Sequence, residues 1–192
     1  MPARASVLPV ILEHMSQTIG ADGAVLTARG ADAPVPASAG EPPGPAGARL
    51  LGPARIRGLA TALGLRPTKA LGQNFVHDAG TVRRIAQLAI DSPDSGTTVL
   101  EIGPGLGSLT LALLEAGARV IAVEIDSRLA QALEATCQAR GVMPGQLRVL
   151  HRDALTIQSV EQLLEDSAWD PPTVLASNLP YNVATPLLLH CL

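Results

Sequence analysis

Four short apolar runs, alternating with helical patterns between residues 97 and 177, constrain this chain more than any other feature. Thr97–Ile102, Arg119–Ile125, Leu147–His151 and Thr173–Ser177 read as strands. Leu109–Ala116, Arg128–Arg140 and Ser159–Glu165 read as helices between them, the first two stopped by Gly117 and Gly141. The strand runs are continuously apolar rather than alternating, as expected when both faces of a sheet are covered. A β-α-β series of this kind closes into an α/β, doubly wound parallel sheet, because such crossovers are right-handed and pack helices on both faces. The expected order of the four strands is 3-2-1-4.

The chain ahead of this series has two parts. From Pro53, the residues Ile56, Leu59, Ala60 and Leu63 repeat at helical spacing, with Pro53 suited to the first turn and Gly64 to the stop. A linker from Arg66 to Phe75 follows, and a second amphipathic helix starts near Asp78 with Val82, Ile85, Ala86, Ala89 and Ile90 on one face. Residues 1–48 differ in kind. Between Gly30 and Gly47, nine of 18 residues are Gly or Pro and five more are Ala, too little apolar surface to offset the ordering entropy. Residues 1–48 are therefore expected to be a disordered extension, and residues 49–192 the folded part.

Several classes fall away. No apolar run approaches the roughly 20 residues of a membrane-spanning helix, and Val7–Leu12 is too short and too broken by Pro9 for a signal peptide. Cys137 and Cys191 show neither metal spacing nor a disulfide framework, so reduced thiols, a cytoplasmic location and no metal are expected. The net charge of −3 hides an asymmetry. Residues 49–84 carry Arg49, Arg55, Arg57, Arg66, Lys69, Arg83 and Arg84 against Asp78 alone, while residues 85–192 carry five Arg against 12 acids. Such a basic stretch suits either a polyanion or a plain solvated face.

The chemistry sits at the strand ends. The first strand runs into Glu101-Ile102-Gly103-Pro104-Gly105-Leu106-Gly107-Ser108, where glycines let a ligand lie against bare backbone at a helix start. Ser108 stands where a dinucleotide fingerprint wants glycine, and Glu101 would repel a pyrophosphate but suits an ammonium or sulfonium cofactor. Glu124 closes the second strand, 21 residues after Gly103, where a carboxylate can accept from both ribose hydroxyls. Asp126 beside it suits a helix cap better. Asp153, just past the third strand, could accept from an adenine amino group or cap a helix. Asn178-Leu179-Pro180-Tyr181 ends the fourth strand. There an Asn carbonyl and its neighbouring backbone carbonyl can hold one –NH2 with its lone pair toward an electrophile, while Tyr181 offers a stacking face for a flipped-out base.

Together with Leu71-Gly72-Gln73-Asn74-Phe75-Val76-His77-Asp78, these motifs resemble the S-adenosylmethionine-dependent rRNA adenine N6,N6-dimethyltransferases. The likeness runs from about Leu50 to Leu192 and is nearer the bacterial small-subunit (16S, kasugamycin-resistance) branch than the large-subunit macrolide-resistance branch, on Leu71-Gly72 and Asn182–Pro186. It implies a Rossmann-like fold of which strands 1–4 of seven are present. It also implies contacts from Asn74 and Val76 to the methionine end of the cofactor, Gly103 to its backbone, Glu124 to ribose and Asp153 to adenine. Asn178 would serve both cofactor and target amine, and Tyr181 would stack the base. Val76 replaces a commoner Leu.

The expected activity is dimethylation of two adjacent adenosines near the 3′ end of 16S rRNA, on the small ribosomal subunit, by a protein monomeric at full length. A large-subunit target, a non-catalytic RNA-binding paralogue and a nicotinamide-dependent oxidoreductase are the alternatives, the last leaving Asn178–Tyr181 unexplained. A helix opened by Thr185-Pro186 stops at Leu192, so a C-terminally truncated fragment is expected, with its fourth strand an unpaired apolar edge. Such a piece is expected to aggregate and to be inactive alone.

Overall fold

The computed structural model describes residues 16–20, 23–29, 50–64, 78–90, 96–164, 168–179 and 181–191. Helix α1 (Pro53–Ala62) starts with Pro53 in its first turn and ends at Leu63, beyond which Gly64 takes the left-handed φ of 63°. Helix α2 (Ala79–Ala89) is capped by Asp78, whose carboxylate accepts from the Thr81 amide and hydroxyl, both at 2.7 Å. A cap of this kind contributes about 1 kcal/mol. Val82, Ile85, Ala86 and Ala89 form the buried face of α2, as its periodicity predicts.

The alternating region supplies β3 (Thr98–Ile102), α3 (Ser108–Glu115), β4 (Arg119–Glu124), α4 (Ser127–Ala139) and β5 (Leu147–His151). A single 3-10 turn (Ala154–Thr156), the short α5 (Glu161–Leu164), β6 (Val174–Leu179) and α6 (Tyr181–Cys191) complete it. β5, β4, β3 and β6 lie side by side and parallel, which is the expected order 3-2-1-4.

Strand side chains alternate between faces, and the core divides accordingly. Val99, Val120, Ala122, Val174 and Ala176 meet residues of α1, α2, α3 and α4. Leu100, Ile102, Ile121, Val123 and Leu175 meet Ile157, Leu163, Ala184 and Leu187 on the other side. The core is aliphatic, each fully buried Leu or Ile being worth about 1.5–3 kcal/mol. Trp169 works at the rim instead, with the Arg119 guanidinium 5.1 Å from its ring centre and paired to Asp170 at 2.5 Å.

Three expectations are corrected. Within residues 1–48, expected to be disordered, Ser16–Gly20 (β1) and Gly23–Arg29 (β2) form an antiparallel hairpin, rich in the strand-favouring types Thr, Ile and Val. β2 pairs antiparallel with β6 from Ala24↔Leu179 to Arg29↔Val174, so the fourth parallel strand is not an unpaired edge. The remainder of residues 1–48 lies outside the described residues. Helix α6 begins at Tyr181, four residues ahead of Thr185, and carries Pro186 inside it. As the sixth residue of α6, Pro186 lies past the first turn and so removes one main-chain hydrogen bond from the helix.

Candidate functional site at the carboxyl ends of the parallel strands

The turn after β3 needs its glycines. Gly103, Gly105 and Gly107 have φ of 67°, 58° and 87°, a region side-chain-bearing residues rarely adopt. Space is closed as well: a Cβ on Gly103 would stand 2.8 Å from Leu179 Cδ2, and one on Gly107 2.5 Å from Leu133 Cδ1. The turn delivers the start of α3, where Gly107 offers no side-chain cap. The first amides of that helix therefore have no side-chain cap, and the Thr110 amide turns to the Glu101 carboxyl instead.

Glu124, the last residue of β4, is buried and holds this turn in place. Its Oε2 accepts from the Gly105 amide at 3.1 Å and its Oε1 from the Asp126 amide at 3.0 Å. Each oxygen keeps a further lone pair for a ligand donor. Asp126 caps α4 by accepting from the Arg128 and Leu129 amides, the role its position suggests. The Arg128 side chain beside it, then those amides, hold the Asp126 carboxyl down at about 2.

Glu101 lies deeper than its sequence position suggests. Only 1% exposed, it sits beneath the glycine turn near Thr110, and its Oε2 and the Thr110 hydroxyl have no partner among the described residues. Burial pushes its carboxyl up to about 8; contacts with Thr110 oppose the rise and the Glu124 charge adds to it. In this state Glu101 is a neutral acid at pH 7 rather than the carboxylate expected to face a cation. Burial likewise pushes the Cys137 thiol up to about 12, so it is inert packing.

Asp153 follows β5 and caps the 3-10 turn, its Oδ1 accepting from the Leu155 amide at 2.9 Å. The capping and ligand-binding readings of Asp153 are compatible, because one oxygen does the capping. Two residues escaped the sequence reading. Ile125, 66% exposed, and Leu155, 44% exposed, follow the acids at the ends of the adjacent strands β4 and β5. Their signal was an apolar residue just beyond a strand end, where a polar one is usual. His151 Nε2 donates to the Ile125 carbonyl at 3.1 Å and ties the two strand ends together.

Asn178 is half-buried near the end of β6, and the β period puts it on the same face as Val174 and Ala176. The same alternation places Glu101 and Glu124 with Val99 and Ala122 on that face. The backbone of Tyr181 opens α6 directly behind. Asn74 and Val76 lie outside the described residues, so the structure brings together Gly103, Glu124, Asp153 and Asn178 of the expected set. They meet where β3 has β4 on one side and β6 on the other, the reversal point at which such sheets bind ligands. Acceptors, exposed aliphatic side chains and a bare glycine turn at one edge suit a nucleoside.

In the basic stretch, Arg83 is spent on a two-pronged pair with Glu115, at 2.7 and 3.0 Å. Arg55, Arg57 and Arg84 are exposed. Among the described residues, no helix is long and apolar enough to cross a membrane.

Residues 65–192 match the sequence model of the family described as Ribosomal RNA adenine dimethylase. Proteins named "Ribosomal RNA small subunit methyltransferase A" are similar to the chain. The one from Leifsonia xyli subsp. xyli is 54% identical over 145 residues, 75% of this chain and 48% of that protein. The one from Streptomyces avermitilis is 57% identical over 151 residues, 77% of this chain and 48% of that protein. The one from Corynebacterium jeikeium is 55% identical over 144 residues, 75% of this chain and 44% of that protein. The chain thus spans about half the length of the curated relatives it matches.

Proposed function

Because the chain belongs to the ribosomal RNA adenine dimethylase family, we propose that it binds S-adenosylmethionine and serves the N6,N6-dimethylation of two adjacent adenosines near the 3′ end of 16S rRNA. The observation that carries this reading is the meeting of Gly103, Glu124, Asp153 and Asn178 at one edge of the sheet. The cofactor fits the residues present: a glycine turn at the end of β3, and in Glu124 and Asp153 acceptors for a ribose and an adenine. When bound, it supplies a sulfonium methyl that is already activated, so positioning carries most of the rate gain.

Each residue has a task in this scheme. Glu124 accepts from the ribose hydroxyls with the lone pairs that Gly105 and Asp126 leave free. Asp153 accepts from the adenine amino group, while Ile125 and Leu155 flank the ring. Gly103 lets the ligand approach the backbone, and Asn74 and Val76 border the methionine end. Asn178 accepts from the target N6 amine and directs its lone pair along the line of attack. Tyr181 stacks the extruded adenine. The N6 nitrogen would take the methyl as the carbon–sulfur bond breaks and its electron pair returns to sulfur, and would then give its proton to water, so no strong base is required. Arg55, Arg57 and Arg84 contact rRNA phosphates on the small ribosomal subunit. The working protein is a cytoplasmic monomer, and residues 49–192 are its cofactor-binding part.

Calorimetric titration of the chain with S-adenosylhomocysteine and, separately, with NAD tests the reading. Binding of the first alone supports it. Binding of NAD alone would support an oxidoreductase instead.

A further inference from the structure

The two strands flanking β3 are joined to it differently at its carboxyl end. Toward β4 the main-chain ladder continues through Ile102↔Val123, and the Gly103 amide donates to the Val123 carbonyl at 2.9 Å. Toward β6 the ladder stops at Glu101↔Ala176. A continued ladder would give the Ile102 amide a carbonyl of β6. Instead the Ile102 amide donates to the Ser177 hydroxyl at 3.0 Å, and Ser177 is fully buried. A side chain thus takes the place of a main-chain acceptor at the point where the crevice opens. One residue beyond Asn178, Leu179 fills the space that a Cβ on Gly103 would need. Asn178 is therefore bracketed: the residue before it is bonded to the end of β3, and the residue after it packs on the glycine turn.

We infer that Ser177 is a positioning residue that sets the spacing between the glycine turn and Asn178, and so aligns the Asn178 carbonyl with the transferring methyl. The inference rests on the reading of this crevice as the S-adenosylmethionine site. Ser177 touches neither ligand; its hydroxyl keeps β6 within one side-chain length of β3 while the Ile102 amide stays satisfied. Without it, a buried amide has no partner and β6 relaxes from β3 at Asn178. The Glu124 and Asp153 end of the crevice, held by β4 and β5, stays in place.

The test compares two probes on the 192-residue chain. S-adenosylhomocysteine reports on the ribose and adenine contacts. Sinefungin, with an ammonium-bearing carbon in place of the methylated sulfonium, also reports on an acceptor at the methyl position. The wild-type chain is expected to prefer sinefungin by at least about fivefold, as a hydrogen bond to a charged donor implies. In Ser177→Ala that preference falls to about one, while affinity for S-adenosylhomocysteine changes by less than about threefold. Ser177→Cys, similar in size but a poor acceptor, behaves as Ser177→Ala does, and Ser177→Thr restores the preference. Should Ser177→Ala fail to fold, Ser177→Cys carries the test. A Ser177→Cys chain with wild-type preference overturns the inference, since volume rather than the hydrogen bond would then matter. A wild-type chain that binds neither probe overturns the reading of the crevice itself. One that binds S-adenosylhomocysteine without preferring sinefungin overturns the alignment of Asn178.

Discussion

Glu124 Oε2 accepts the Gly105 amide at 3.1 Å, so the acid at the end of β4 holds the turn at the end of β3 before any ligand arrives. A ligand that used Glu124 would find both the acceptor and the turn already placed, and would lose less freedom on binding.

Glu124→Gln keeps the size and removes one acceptor, leaving either the Gly105 or the Asp126 amide facing an –NH2. Affinity for S-adenosylhomocysteine should fall by about tenfold or more, with a stability loss of about 1–3 kcal/mol. Calorimetry and urea unfolding read the two effects separately. Wild-type affinity in a folded Glu124→Gln chain would remove Glu124 from the site.

Glu101 gives the chain a pH dependence of unusual sign for an acid. Its carboxyl is pushed up to about 8 in the fold from an ordinary 4.5. The folded state therefore holds a proton that the unfolded state has lost, and stability falls as pH rises from about 4.5 to about 8. Glu101→Gln removes the titration. It should be the more stable of the two at pH 9, by on the order of a few kcal/mol, with the difference shrinking toward pH 5. Thermal melts across this range decide it, and parallel pH profiles for the two proteins would contradict it.

Gly103→Ala meets two obstacles, a φ of 67° and Leu179 Cδ2 at 2.8 Å. It should cost about 1–3 kcal/mol. Adding Leu179→Ala relieves the contact but not the backbone, so the double variant should show coupling between the sites without full recovery. Additive losses in denaturant unfolding would show that the contact contributes nothing.

The pairing of β2 along β6 covers a strand edge whose side chains are mostly buried. Removing residues 1–30 should bare that edge and raise aggregation, which light scattering at matched concentration measures. An equally dispersed shortened chain would mean that the hairpin does not protect β6.

The parallel order and the helix faces were readable because hydrophobic periodicity is local and the crossover rule leaves few topologies. Asp126 as the α4 cap and Gly107 at the α3 start followed from short-range geometry alone. The burial and protonation of Glu101 were not legible because neither is a local property: both arise from α3 and α4 closing over β3. The β1–β2 hairpin is not legible locally because its pairing partner β6 lies about 150 residues away. Composition averaged over residues 1–48 masked the strand-favouring residues between 16 and 29.

By itself, the sequence determined the alternation of elements, the residue types at each strand end and the family. It could do so because strand burial, glycine turns and capping are all written in neighbouring residues. Only the tertiary structure decided that Glu124 bonds to Gly105, that Glu101 is buried as a neutral acid and that Ser177 replaces a main-chain acceptor for Ile102. Those facts depend on how far β4 and β6 stand from β3, a distance set by packing across the whole sheet.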